Sequence, residues 1–236
     1  MKSHSRIVPC LIAIFVIVGC ASTKVTDHQR IVNEKITRPD HILVYDFVAT
    51  TADMPADSAL TGQYSDHSKP QTAEQIEIGR KLGAQIAEEL VEEIRAMGMP
   101  AERAPKGATA QINDILIRGY LISVDEGSKA KRFGIGLGSG ASELKTVVDG
   151  YQMTAQGRRK LGSAEMDASG GKTPGAAVGI AALVATHNPL GLIVSTGMHL
   201  YGEKSGSAKI EGRAKQTAKE IADHLKIRFE QEGWIK

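Results

Sequence analysis

The sequence predicts an α/β fold, a two-layer sandwich in which a small mixed sheet packs against two long helices. Three observations predict it. A β-branched, apolar run stands near the start of the soluble part at His41 to Val48, and a capped helix with one apolar stripe follows it. Two further strand-like runs lie in the middle, and a second striped helix closes the chain. Strand, helix, strands and helix in that order bury one sheet face under two helices.

Before the fold comes an address. Lys2 and Arg6 precede an apolar run, Ile7 to Val18, which ends at Gly19 and Cys20. A basic start, a short apolar segment and a small residue before a cut have the form of a secretory signal peptide over residues 1–19. The run is too short to span a bilayer, which needs about 20 apolar residues. Ile17-Val18-Gly19-Cys20 has the form of a bacterial lipobox, with cleavage between Gly19 and Cys20 and a lipid, palmitate included, on Cys20. An uncleaved anchor helix is the plainer alternative. Residues 20–39 are polar and poorly periodic, and read as the lipidated N-terminus and a tether. Ala21 stands where, in the sorting signal this motif resembles, an aspartate would retain the protein at the inner membrane. The expected location is therefore the outer membrane, facing the periplasm.

Residues 40–236 read as one domain. The strand at 41–48 gives way to a long polar loop over 49–71. Thr72-Ala73-Glu74-Gln75 then matches a capping box. Ile78, Leu82, Ile86, Leu90, Ile94 and Met97 keep one helical face apolar, and Gly98 and Pro100 stop the helix. Asp114 to Val124 and Leu144 to Gln156 read as strands, and Gly157 turns the second into a partner over Arg158 to Asp167. From Ser207 a long helix places Ile210, Ala214, Ala218, Ile221, Leu225 and Phe229 on one stripe. Gly233 ends it, and Trp234 is expected to fold back on the core.

Composition excludes several functions. Residues 1–19 hold two of the 29 bases and none of the 27 acids, so the mature part is formally neutral. It offers no general field for nucleic acid. Cys10 lies in the leader and Cys20 under lipid, which leaves no thiol for a nucleophile, a redox pair or a zinc site. Aromatics are only 4%, so the core must be aliphatic.

Glycines alternate at Gly134, Gly136, Gly138 and Gly140 between two strands. They read as structural, allowing a bend or a close backbone approach. A dinucleotide fingerprint fails here: Ser139 stands where the third glycine belongs, and a strand rather than a helix follows. RPDHILVYDF, GIGLGSGASEL and GRAKQTAKEIADHLKIRFEQEGWI together resemble bacterial lipoproteins of the domain of unknown function 4410 family, over roughly residues 38–235. The resemblance implies an envelope lipoprotein and no reaction, ligand or catalytic residue.

Thr173 to Gly202 contains no Asp, Glu, Lys or Arg. Asn188-Pro189 divides it into halves too short to span a membrane. Gly175 and Gly179 give the spacing that lets helices approach closely. The stretch suits packing in the core, contact with an envelope protein or a second copy, or a hairpin dipping into the membrane. Gly170-Gly171-Lys172-Thr173 imitates the end of a P-loop, but Met166 stands where the first glycine belongs. Asp and His adjoin at 27/28, 40/41, 66/67 and 223/224, and such neighbours point apart. No cofactor or metal is expected. The expected function is a non-enzymatic envelope lipoprotein acting through protein contact or envelope assembly. The alternatives are a hydrolase whose carboxylates meet only in the fold, and a ring or pore component suggested by the uncharged stretch.

Overall fold

The computed structural model describes residues 24–54, 72–105, 107–125, 143–168 and 210–236. They form a mixed six-stranded sheet with two helices, the α/β fold that the sequence predicts. The strands are β1 (Lys24–Arg30), β2 (Ile42–Tyr45), β3 (Ala101–Ala104), β4 (Ile115–Asp125), β5 (Glu143–Thr154) and β6 (Gly157–Asp167). The helices are α1 (Ala73–Ala96) and α2 (Ile210–Glu232). The sheet order is β1-β6-β5-β4-β2-β3. β2 runs parallel to both β3 and β4, and the other pairings are antiparallel.

The ends of α1 follow its sequence. The Gln75 backbone N–H donates to Thr72 Oγ1 at 3.2 Å, and the Thr72 N–H donates to Gln75 Oε1 at 2.9 Å. Two orphan donors of the first turn are thereby satisfied. At the other end Gly98 takes φ +79°, a left-handed conformation that a Cβ disfavours. Ile78, Leu82, Ile86, Leu90 and Ile94 are all buried. They meet Ile42 and Val44 of β2, Ile115 and Ile117 of β4, and Ala214, Ala218 and Ile221 of α2 in one core. Leu144 and Val148 of β5 and Met166 of β6 extend it. The alternate positions face the other way, and Tyr120, Ile122 and Val147 make a smaller cluster there.

Phe47 locks these layers together. Its backbone N–H donates to Gly83 O of α1 at 3.2 Å, while its ring lies on Gly119 of β4. A Cβ at Gly83 would come within 2.1 Å of Phe47 O, and one at Gly119 within 2.1 Å of the ring. Neither place has room for a side chain. Val48 then bridges to Tyr120, donating to Gly119 O at 2.8 Å and accepting from Leu121 N at 2.9 Å.

The tether expected over residues 20–39 is corrected. Residues 24–30 are an edge strand paired antiparallel with β6, and Ile36 is buried. The chain between β1 and β2 is held by the C-terminus. Ile36 N donates to Glu232 Oε2 at 2.9 Å, and Ile36 O accepts from Trp234 Nε1 at 3.2 Å. Gly233 turns with φ +78°, and the Trp234 ring lies 5.3 Å from that of Phe229. The expected fold-back of Trp234 is thus present. β3 is a further strand that the sequence reading did not include.

Gly119→Ala should lower stability by about 1–3 kcal/mol, because the added methyl overpacks the Phe47 ring. Gly150→Ala, where a Cβ would meet nothing within 4 Å, should be neutral or slightly stabilising. Urea unfolding of the two variants checks this, and equal losses would refute the close approach.

Candidate functional site

Two sets of side chains make a continuous feature, one on the sheet face away from the helices and one between the sheet and α1 where the chain leaves β2. The first is a row across the strands. Arg118 of β4 is paired in register with Asp149 of β5, and Asp149 with Ser163 of β6. Directly opposite residues share a sheet face. At the outer end of the row the Arg118 guanidinium sits over the Tyr45 ring of β2, 5.2 Å from its centroid. A row of Tyr45, Arg118, Asp149 and Ser163 thus spans four strands.

Asp149 is the hub of this row. Its side chain is only 2% exposed. Ser163 Oγ donates to Oδ1 at 2.6 Å and Tyr151 OH to Oδ2 at 3.0 Å. Lys160 Nζ lies 2.9 Å from Oδ1 and also approaches the Tyr151 ring. The buried carboxylate therefore has a cation and two hydroxyl donors, which is what such burial requires. Burial, and after it the charge of Asp149, push the Tyr151 hydroxyl above its ordinary range. It stays a protonated donor.

The second set lines a groove of about 440 Å³ beside the row, where the chain leaves β2. Tyr45, Phe47, Tyr120 and the Arg118 side chain form its walls, with Asp53 and Arg80 at one side. Both carboxylates at the groove are clamped. Arg80 reaches Asp53 through Nε and Nη2 at 2.8 and 3.0 Å. Arg103 reaches Asp46 in the same two-pronged way at 2.5 and 2.8 Å. Such forks fix geometry as well as charge. The groove offers aromatic faces and an arginine, a surface for stacking and hydrogen bonding. A second depression of about 490 Å³ lies where the C-terminal ends of α1 and α2 meet, among Arg38, Glu93, Asp223 and Lys226.

None of the positions singled out in the sequence is among these side chains. Gly19, Cys20, Gly134, Gly136, Gly138, Gly140 and the stretch 173–202 are outside the described residues. The Asp-His neighbours at 40/41 and 223/224 engage different partners. His41 Nδ1 is 3.2 Å from Asp114 rather than engaged by Asp40, and His224 is 3.6 Å from Glu220 while Asp223 binds Lys219. Among the described residues no group of three metal-ligating side chains comes together. No described helix is long and apolar enough to cross a membrane. Arg118 and Asp149 were missed by sequence reasoning. Their signal is a lone charge inside an uncharged strand run, in ILIRGYLISV and TVVDGYQMT.

The family described as Domain of unknown function (DUF4410) matches residues 42–186. That span runs from β2 past the end of β6 and leaves out β1 and α2. No curated protein matches the chain. Among solved structures, a variant PelC dodecamer from Paraburkholderia phytofirmans is similar at 14% identity, with a TM-score of 0.36 over 71% of this chain and 98% of that one. A second PelC dodecamer from the same organism is similar at 13% identity, with a TM-score of 0.36 over 70% and 97%.

Asp149→Ala strands the Lys160 ammonium, the buried Ser163 hydroxyl and the half-buried Tyr151 hydroxyl. It should cost about 3–5 kcal/mol, as for the breaking of a buried pair. Arg103→Ala, at an exposed pair with Asp46, should cost less than about 1 kcal/mol. Denaturant midpoints of the two variants give the comparison, and a mild Asp149 variant would remove that residue as the hub.

Proposed function

The chain belongs to the domain of unknown function 4410 family, and from its first twenty residues we propose that it is a lipoprotein of the bacterial outer membrane, anchored by lipid on Cys20 and acting on other envelope proteins by contact. The observation that carries this reading is Ile17-Val18-Gly19-Cys20, at the end of a basic-then-apolar leader. Each buried methylene of an attached acyl chain adds about 0.8 kcal/mol, so several chains hold a protein essentially permanently.

The groove supports contact over catalysis. Both of its carboxylates have their oxygens engaged by arginine forks, which suits a fixed recognition surface better than a proton-transfer pair. Residues 173–202 hold no charge, a composition that suits contact with an envelope partner or a second copy. Neither nucleic acid nor a cofactor enters this reading.

Cys20→Ser should move the protein from the membrane fraction to the soluble fraction, with the leader removed. Fractionation together with the intact mass reads both events. A variant that has lost residues 1–19 and still stays in the membrane would rule out a lipid-only anchor.

A further inference from the structure

We infer that β1 is a releasable leash: it parts from β6 without unfolding the domain, and the parting stops at Ile36. The leash needs a fixed end, so it rests on lipidation of Cys20 as proposed above.

The seat of β1 is specific but shallow. β1 is the outermost strand of the sheet, and β6 is its one partner among the described residues. Its sequence, KVTDHQR, holds a single apolar residue, Val25. The register with β6 shifts between Val25 and Asp27, which disrupts the ladder there. Gln29 and Arg30 are exposed. A strand with one partner and little apolar content is held chiefly by backbone hydrogen bonds at an open edge. That places it at the low-stability end of the molecule. Even so, β6 is shaped to receive it. A Cβ at Gly162 would come within 2.7 Å of Gln29 O, so β1 lies closer to that backbone than a side chain would allow.

Past β1 the hold weakens further and then tightens. Ile31 is 48% exposed, and Glu34 meets Arg159 in an exposed pair, which adds little. Ile36 is the first buried residue after β1. Both of its backbone groups are bonded in buried surroundings, to Glu232 and to Trp234. Two residues on, Arg38 O accepts from Asn113 Nδ2 at 2.9 Å, and Arg38 Nη2 donates to Gly98 O at 3.1 Å. The arm is thus fastened to the C-terminus, to the turn before β4 and to the end of α1. Breaking a buried bond leaves its groups unsatisfied, whereas water replaces an exposed one at once. Unzipping from the N-terminus therefore halts at Ile36.

Chain length gives the consequence. With β1 seated, Ala21, Ser22 and Thr23 alone separate Cys20 from Lys24. At no more than about 3.6 Å per residue, the Cα of Lys24 then lies within roughly 14 Å of the lipid-bearing residue. With β1 released, the first fixed point is Ile36, sixteen residues from Cys20. The reach grows to roughly 58 Å by the same measure. The domain passes from being held at the surface to meeting partners well away from it, with its core and groove unaltered.

The test uses the full lipoprotein in phosphatidylethanolamine and phosphatidylglycerol vesicles. A donor dye sits on Ile227→Cys, at a 52% exposed site of α2, and acceptor dyes sit on the lipid headgroups. Gly162→Ala crowds the seat of β1. Gly150→Ala, at its register partner on β5, adds the same methyl where a Cβ meets nothing within 4 Å. Hydrogen exchange and energy transfer are read in both variants. Relative to Gly150→Ala, Gly162→Ala should speed exchange in the fragment carrying β1 about tenfold and leave the fragments carrying Ile36 and β4 unchanged. Energy transfer should fall at least about twofold, since the released leash is several times longer. Equal exchange or equal transfer in the two variants overturns the leash. Faster exchange over β1 and β4 together overturns it too, because β1 then opens only with the whole domain. Exchange of Ile36 along with β1 overturns the stop. Protein that does not float with the vesicles overturns the anchor, and the leash with it.

Discussion

The fold depends on how closely Phe47 approaches two backbones. Its amide is bonded to Gly83 of α1 and its ring is pressed on Gly119 of β4, at places where no Cβ fits. The helix and the sheet are joined here by a single residue just past the end of β2. Apolar burial holds layers together without fixing their offset, because it has no direction. A backbone hydrogen bond on one side and ring packing on the other do fix it. The same approach places Val48 against Tyr120 and so shapes the groove in which Tyr45 and Arg118 meet.

The two sheet faces use different chemistry. The helix side is filled with Ile, Leu, Val and Ala, in keeping with a sequence that has few aromatics. The other side carries most of the order by polar means. Asp149 is held from β5 and β6 together, by Tyr151, Lys160 and Ser163. A buried carboxylate satisfied on all sides orients its neighbours more strictly than an apolar contact of equal size. The neighbouring groove is rigid for the same reason, since each arginine fork ties a carboxylate near the groove to a separate element.

Much of this architecture is legible in the sequence. The capping box at Thr72, the stripes of α1 and α2, the hairpin at Gly157 and the return of Trp234 follow from local rules of spacing and conformation. β1 and β3 escape those rules for different reasons. Lys24–Arg30 is an edge strand with one partner, so it has little need of apolar alternation. Ala101–Ala104 has four residues and buries only two alanines, too little to stand out. The row from Tyr45 to Ser163 was hidden differently. Its charged members are visible in their strands, but which of them meet depends on strand register and on a sheet order that runs against chain order. No window of local sequence contains that information.

The clasp on Ile36 has a consequence for the order in which the molecule is completed. Its partners, Glu232 and Trp234, are among the last residues of the chain, and β1 finds its mate only in β6. A ribosome delivers the chain from the other direction. The first strand therefore emerges with both edges bare, and the arm behind it has no seat until residues 232–234 have followed. Contacts of such long sequence separation form late and slowly. A strand edge left open for that time is the part of a nascent protein most in need of shielding. Residues 24–36, though made early, can be seated only after β6 and α2 have followed them.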